Sequence, residues 1–366
     1  MEFDQKIEET EQGKLACKNC GAILSFKPGT KNLKCEYCGA ENEIEGSDAV
    51  IEEINYRDFI SNQLESEEKV DIISVKCTTC GAQVSFPPNI TSDECPYCSS
   101  NIIVKNGTPN SVLRPKSLVP FVIDKRKANT LFRTWISKLW FAPSKLKERT
   151  SKGKINGVYV PYWTYDSDIT SSYTGERGIY YYVTETYTDT ENGQSVTKTR
   201  EVRRTRWSSA SGTISHFFDD ILIIASKSLP EKIAKKLNSW KLSELVPFNE
   251  KYLSGFKSEA YQVDIKDGFE KAKIIIDRGV DSLIRQDIGG DEQRVFSANT
   301  SYNKITFKHI LLPIWISSYK YNNKVYRFLI NGQSGKVQGE RPYSYIKIAL
   351  LVIAIIAVII AIAHFS

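Results

Sequence analysis

The chain has 366 residues, 41% of them apolar and 25% charged, proportions that exclude a largely disordered or fibrous protein. Its formal net charge of +6 conceals a division: residues 1–110 carry 10 Lys/Arg against 19 Asp/Glu, whereas residues 111–366 carry 39 against 24. A single uniform electrostatic role is thereby excluded, and two parts facing different partners are expected.

The opening "MEFDQKIEETEQ" is acidic, with neither a basic n-region nor an apolar h-region. No secretory leader is expected from it, and a reducing cytoplasm is. All eight cysteines then fall in four C-x-x-C pairs: Cys17, Cys20, Cys35 and Cys38, followed by Cys77, Cys80, Cys95 and Cys98. "CKNCGAILSFKPGTKNLKCEYC" and "CTTCGAQVSFPPNITSDECPYC" share their spacing and a Gly-Ala, a Ser-Phe, a proline and a tyrosine, as an internal repeat does. Four thiolates delivered by paired tight turns suit tetrahedral zinc, with no position left for a catalytic water. Two structural Zn2+ ions in two zinc ribbons, at 1–46 and 73–106, are therefore expected. The acidic stretch 47–72 between them reads as a spacer or strut against the second ribbon, with a short helix around Tyr56–Glu67. An N-terminal region this acidic offers phosphates little, so a protein partner is the expected contact of the ribbons.

Residues 107–340 read as a basic α+β body: an antiparallel sheet built from two copies of a strand–helix–strand unit. In the first copy "FVIDKRKANTLFRTWISKLW" leads to "GVYVPYWTYD"; in the second "YQVDIKDGFEKAKIIID" leads to "HILLPIWISSYKY". The prolines of these strands, Pro161 and Pro313, argue for edges or bulges. Asp124 is placed to cap the first helix, and Lys125, Arg126, Lys127, Arg133 and Lys138 lie on it. These cations are candidates for an anionic surface, while the aromatic stripe of the helix is expected to pack on its own sheet.

A hairpin follows in "YYYVTETYTDTENGQSVTKTREVRRTRW", with its turn at Asn192-Gly193. That register sets Glu185 opposite Arg200 and Tyr181 opposite Arg204, and puts Lys198, Arg200, Arg204 and Arg206 on one face. With Arg203, these residues form a second candidate anionic-binding group, including nucleic acid bound by stacking and charge.

From Ile348 to Ala363 no residue is charged or strongly polar. Sixteen helical residues span about 24 Å, and extension to Tyr345 and Phe365 brings the length to that of a bilayer core, with Lys347 snorkelling. Residues 341–366 are accordingly expected to be a single membrane anchor. Arg341 and Lys347 precede it, which sets the bulk of the chain in the cytoplasm beside an anionic inner leaflet. Phosphate-loop, nucleophile-elbow, H-E-x-x-H and dinucleotide-binding motifs are absent. Asp219-Asp220 near His216 is a weak acid pair, and His309 reads as a satisfied core or edge histidine. No enzyme activity is expected.

The paired ribbons, "GVYVPYWTYD", "LLPIWISSYKYNNKVYRFLINGQSGKVQGERP" and the terminal apolar helix together resemble a bacterial family of transcription-factor-IIB-type zinc-ribbon-containing membrane proteins. The resemblance runs the length of the chain and implies zinc on the eight cysteines. Members are often labelled as related to the primosomal replication-restart helicase, an activity that does not carry over to a chain without a phosphate loop. The family's company of membrane-stress scaffolding proteins implies a tail-anchored adaptor. The alternative is a membrane-tethered nucleic-acid-binding protein that uses the basic helix and hairpin at 114–206.

Overall fold

A computed structural model describes residues 15–46, 49–63, 69–86, 92–98, 100–104, 107–143, 155–191, 194–321 and 324–365. The first cysteine unit is an antiparallel sheet of Leu24–Phe26, Asn32–Cys35 and Glu41–Glu43. In the second, Gln83–Phe86 and Thr108–Leu113 flank Lys69–Lys76, and Ser92–Glu94 pairs with Asn101–Ile103. Most of the expected turn of the second unit, at 87–91, lies outside the described residues.

The body begins with β1 (Ser117–Leu118) and α1 (Lys125–Ser137), then β2 (Asn156–Glu191) and β3 (Gln194–Ile224). It continues through β4 (Lys257–Ser258), α2 (Ile265–Ile288), β5 (Glu292–Tyr321) and β6 (Lys324–Asn331). A last helix, α3, covers Tyr345–Phe365. The long strands β2 and β5 run antiparallel at the centre, but β1 pairs with β5 and β4 with β2 in parallel. The sheet is therefore mixed, not antiparallel as the sequence suggested.

Hydrogen bonds match across the pair Val160↔Leu312. Trp163 Nε1–H donates to the Val263 carbonyl at 3.0 Å, and Trp315 Nε1–H to the Ile123 carbonyl at 2.8 Å. The next residue in each case caps a helix: Asp264 accepts from Lys266 N–H, and Asp124 from Lys127 N–H. The prolines obey the same correspondence. Pro161 O accepts from Ala225 N–H and Pro313 O from Gly332 N–H, one residue past the ends of β3 and β6. Each proline nitrogen faces the point where the outer strand leaves the sheet, so no ladder bond is lost. This is how both prolines sit in central strands, at neither the edges nor the bulges expected.

Alternate residues of the central strands point to opposite faces. Tyr159, Leu311 and Trp315 pack with α1 and with Leu24, Phe26 and Leu33 of the first cysteine unit. Val158, Val160, Ile310 and Leu312 pack with Val84, Phe86 and Tyr97 of the second. The two units thus clamp the sheet, and neither has a core separate from the body.

The acidic linker crosses the body as a strap. Ile54 pairs with Phe307, Asn55 caps the turn Tyr56–Asp58, a π-turn follows over Phe59–Gln63, and Phe59 is buried against Phe307. It pairs with β5, in a cluster that also takes in Leu113 of the second cysteine unit; residues 64–67 of the expected helix lie outside the described residues.

Farther along, α2 lays Ile276, Val280, Ile284 and Ile288 on Ile169 and Tyr173, covering one face of a three-stranded arm of β2, β3 and β5. Past Gly178 only β2 and β3 continue, as a two-stranded ribbon over Ile179–Glu191 about 44 Å long.

Candidate metal centres and charged surfaces

Each cysteine arm is a tight turn closed by the ligand residue itself. Cys17 N–H reaches Ala22 O at 2.7 Å, Cys35 N–H reaches Ala40 O at 2.8 Å, Cys77 N–H reaches Ala82 O at 2.8 Å and Cys95 N–H reaches Ser100 O at 2.8 Å. Gly21, Gly39 and Gly81 follow with φ of +72°, +78° and +75°, the left-handed conformation that disfavours a side chain. Position 99, serine where the other arms have glycine, lies outside the described residues.

The turns bring four sulfurs together twice. Cys17 and Cys38 Sγ lie 3.5 Å apart and Cys20 and Cys35 Sγ 3.6 Å apart; in the second set Cys77–Cys98 is 3.6 Å and Cys80–Cys95 3.7 Å. All four ligand atoms of each set fall within 4.8 Å of one another. A tetrahedron with 2.3 Å metal–sulfur bonds has edges of about 3.8 Å, so both sets fit a tetrahedrally bound divalent ion.

Without a cation the sulfurs cannot all ionise. The Cys38 N–H holds Cys35 down at about 6, while Cys20 is pushed up to about 12 by partial desolvation and the neighbouring thiols despite the favourable Ala22 N–H. In the second set the Cys95 thiol hydrogen-bonds to Cys80 and holds it down at about 5, and Cys95 is raised in turn. A bound cation removes this conflict and releases the remaining protons.

The surroundings of the two sites differ. Cys20 and Cys38 are exposed, and Tyr37 between the last two ligands is 84% exposed. The second site is held from the body side. Arg327 donates to the Cys80 carbonyl, and Asn156 Nδ2–H donates to Pro96 O at 2.8 Å. Lys257 Nζ meets Asp93 at 2.8 Å and Glu94 O at 2.7 Å. Ser100 Oγ lies 3.0 Å from Cys98 Sγ.

Of the candidate cations, Lys125, Arg126, Lys127, Arg133 and Lys138 are all exposed at α1, whose Ala128, Phe132 and Ile136 face inward. Phe132 stacks on Phe328 at 3.7 Å, whereas Trp140, just past the helix, is 75% exposed. The hairpin has the expected register, Glu185↔Arg200 and Tyr181↔Arg204, with Lys198, Arg200, Arg204 and Arg206 on one face and Arg203 on the other. Its turn, Asn192-Gly193, lies outside the described residues. Glu185 accepts from Arg204 at 2.6 Å and Arg200 at 3.4 Å, Asp189 pairs with Lys198 at 2.8 Å, and Arg203 stacks over Tyr180 at 4.2 Å. The two cation groups sit on separate elements.

A charged cluster of which the sequence points only to Asp219 and Asp220 lies on the strap side of β5. Buried Lys308 meets Glu53 and Asp220 at 3.0 Å and Asp166 at 3.5 Å. Register slips around Asp166 and a left-handed Asp220 shape it, and Asp220 N–H donates to Asp166 at 2.6 Å. Asp219 belongs to the same carboxylate group, but His216 packs edge-on to Phe218. His309 is buried among Trp163, Phe307 and Phe59; among the described residues neither ring nitrogen has a hydrogen-bond partner, and burial pushes it down to about 3. It is a neutral aromatic filler, not a satisfied polar residue.

No protein-family model matches the chain, and no solved structure matches it. Among curated proteins, the uncharacterized protein YdjG of Bacillus subtilis (strain 168) is 26% identical over 334 residues, 91% of each chain. That likeness extends over nearly the whole length and indicates no enzyme family.

Proposed function

We propose that this chain is a single-pass, tail-anchored adaptor facing the cytoplasm, with structural zinc in both cysteine sites. The observation that carries the reading is the join of its parts: two four-cysteine units share the core of a body that ends in a helix apolar on every face. Four cysteine ligands per site favour structural over catalytic zinc. Arg341 and Lys347 at the start of α3 favour a cytoplasmic body. The matched hydrogen bonds about Val160↔Leu312 support an internally duplicated body. Docking belongs to the first cysteine unit, where Tyr37 and Ile23 are exposed beside Cys20 and Cys38.

A photo-crosslinking residue at position 37 of the full chain in its native membrane tests this. A discrete adduct is expected, lost on Cys20→Ser together with one of two zinc equivalents, and not formed from exposed position 296. Equal adducts from both positions would sink the docking assignment. The nucleic-acid reading is weakened by Glu185 and Asp189, which hold three of the hairpin cations. Binding of single- or double-stranded nucleic acid far tighter than ~10⁻⁶ M near physiological salt, lost on neutralising Arg203, Arg204 and Arg206, would reverse the choice.

A further inference from the structure

Lys347, in the first turn of α3, is bonded to the body. Its Nζ donates to the carbonyls of Ala142 at 2.9 Å and Trp140 at 3.2 Å, in the loop that ends α1. Ser344 N–H adds a bond to Phe141 O at 2.7 Å. The first turn of the anchor is therefore fastened to the body by three carbonyls in succession. The side chain that opens this loop, Trp140, is turned outward, and Tyr343 and Tyr345 at the entry to α3 are exposed as well.

The depth of the loop follows from the length of the anchor. Ile348–Ala363 alone spans about 24 Å against a hydrocarbon core of about 30 Å, so the first turn, Tyr345–Lys347, must enter the boundary region to complete the crossing. A loop bonded to Lys347 Nζ is drawn to the same level. An indole has an apolar body and one N–H donor, the chemistry that settles between acyl chains and headgroups.

We propose that the Trp140–Ala142 loop is a second membrane contact, with Trp140 inserted among lipid headgroups and Lys347 acting as the latch that holds it there. The proposal rests on the anchor reading and adds that the body is fixed against the bilayer, not swinging on a free tether. The latch satisfies a lysine otherwise close to hydrocarbon and two carbonyls at a loop, with Ser344 N–H satisfying a third, so both partners gain from staying joined.

The test uses the full chain reconstituted in phosphatidylcholine–phosphatidylglycerol vesicles (3:1) whose acyl chains are brominated near the headgroup. Tryptophan fluorescence should be quenched in the wild type and the quenching lost in Trp140→Phe. Lys347→Met should remain resistant to carbonate extraction yet lose most of the quenching. Equal quenching in wild type and Trp140→Phe, or full quenching in Lys347→Met, overturns the latched loop while leaving the anchor intact. A wild-type chain extracted by carbonate overturns both.

Discussion

At the scale of single residues, buried Lys308 gathers carboxylates from three separate elements, whereas each cysteine arm is closed within a few positions. The eight cysteines announce themselves because each arm needs only the turn that follows it. Lys308 does not, since its carboxylates come from positions 53, 166 and 220, which only the finished sheet assembles. Lys308→Met is expected to cost ~3–5 kcal/mol, because it leaves buried Asp166 uncompensated, and Asp166→Asn in the same chain should recover much of that. Denaturant unfolding of the single and double variants measures it. His309 carries a pH signature. It is held near 3 in the fold and titrates near 6.5 when unfolded, so the unfolded chain takes up its proton first and stability falls as pH drops below about 6.5. His309→Phe should therefore narrow the stability loss between pH 7.5 and pH 5 by about 2 kcal/mol, as read from unfolding midpoints at the two pH values. An unchanged acid profile would place the charge-sensitive group elsewhere.

At the scale of elements, periodicity and turn chemistry were good guides. The capped start of α1 and the hairpin register both follow the sequence. The strand–helix unit expected from the sequence stops at Asp277, whereas Ile276, Val280, Ile284 and Ile288 continue the buried stripe of α2 to Gly289. The parallel strands β1 and β4 are two residues each, too short for any pattern, and exist because the opposite half supplies their partner. The projecting ribbon has water on both faces and cross-strand pairs worth a few tenths of a kcal/mol each. Replacing residues 182–203 with a two-residue turn, which keeps the bonds of Tyr180 to Asp291 and Glu292, should accordingly shift the melting temperature by less than about 2 °C. A larger drop would mean that the ribbon folds back on the body.

Across the whole molecule, the charge division of the sequence reads as a split into separate modules, but apolar packing joins what charge divides. Cys17 and Cys35 share a core with Phe121 and Trp315, and Cys77 and Cys95 share one with Val160 and Leu312. Structural zinc contributes on the order of 10 kcal/mol to folding a ribbon by itself, so in a shared core its removal should reach the body. Chelator treatment of the detergent-solubilised chain is expected to lower the main calorimetric transition. A small early transition with the main one unmoved would instead mark the cysteine units as independent.

The parallel pairing of β1 with β5 also sets an order of events at the ribosome. Ser117 and His309, joined by a hydrogen bond, stand 192 positions apart. At 5–20 residues per second, some ten to forty seconds of synthesis separate a strand from its neighbour. Throughout that interval the apolar faces prepared for the sheet have no cover. A nascent chain of this length, with the apolar helix α3 still to come, is a natural client for chaperones.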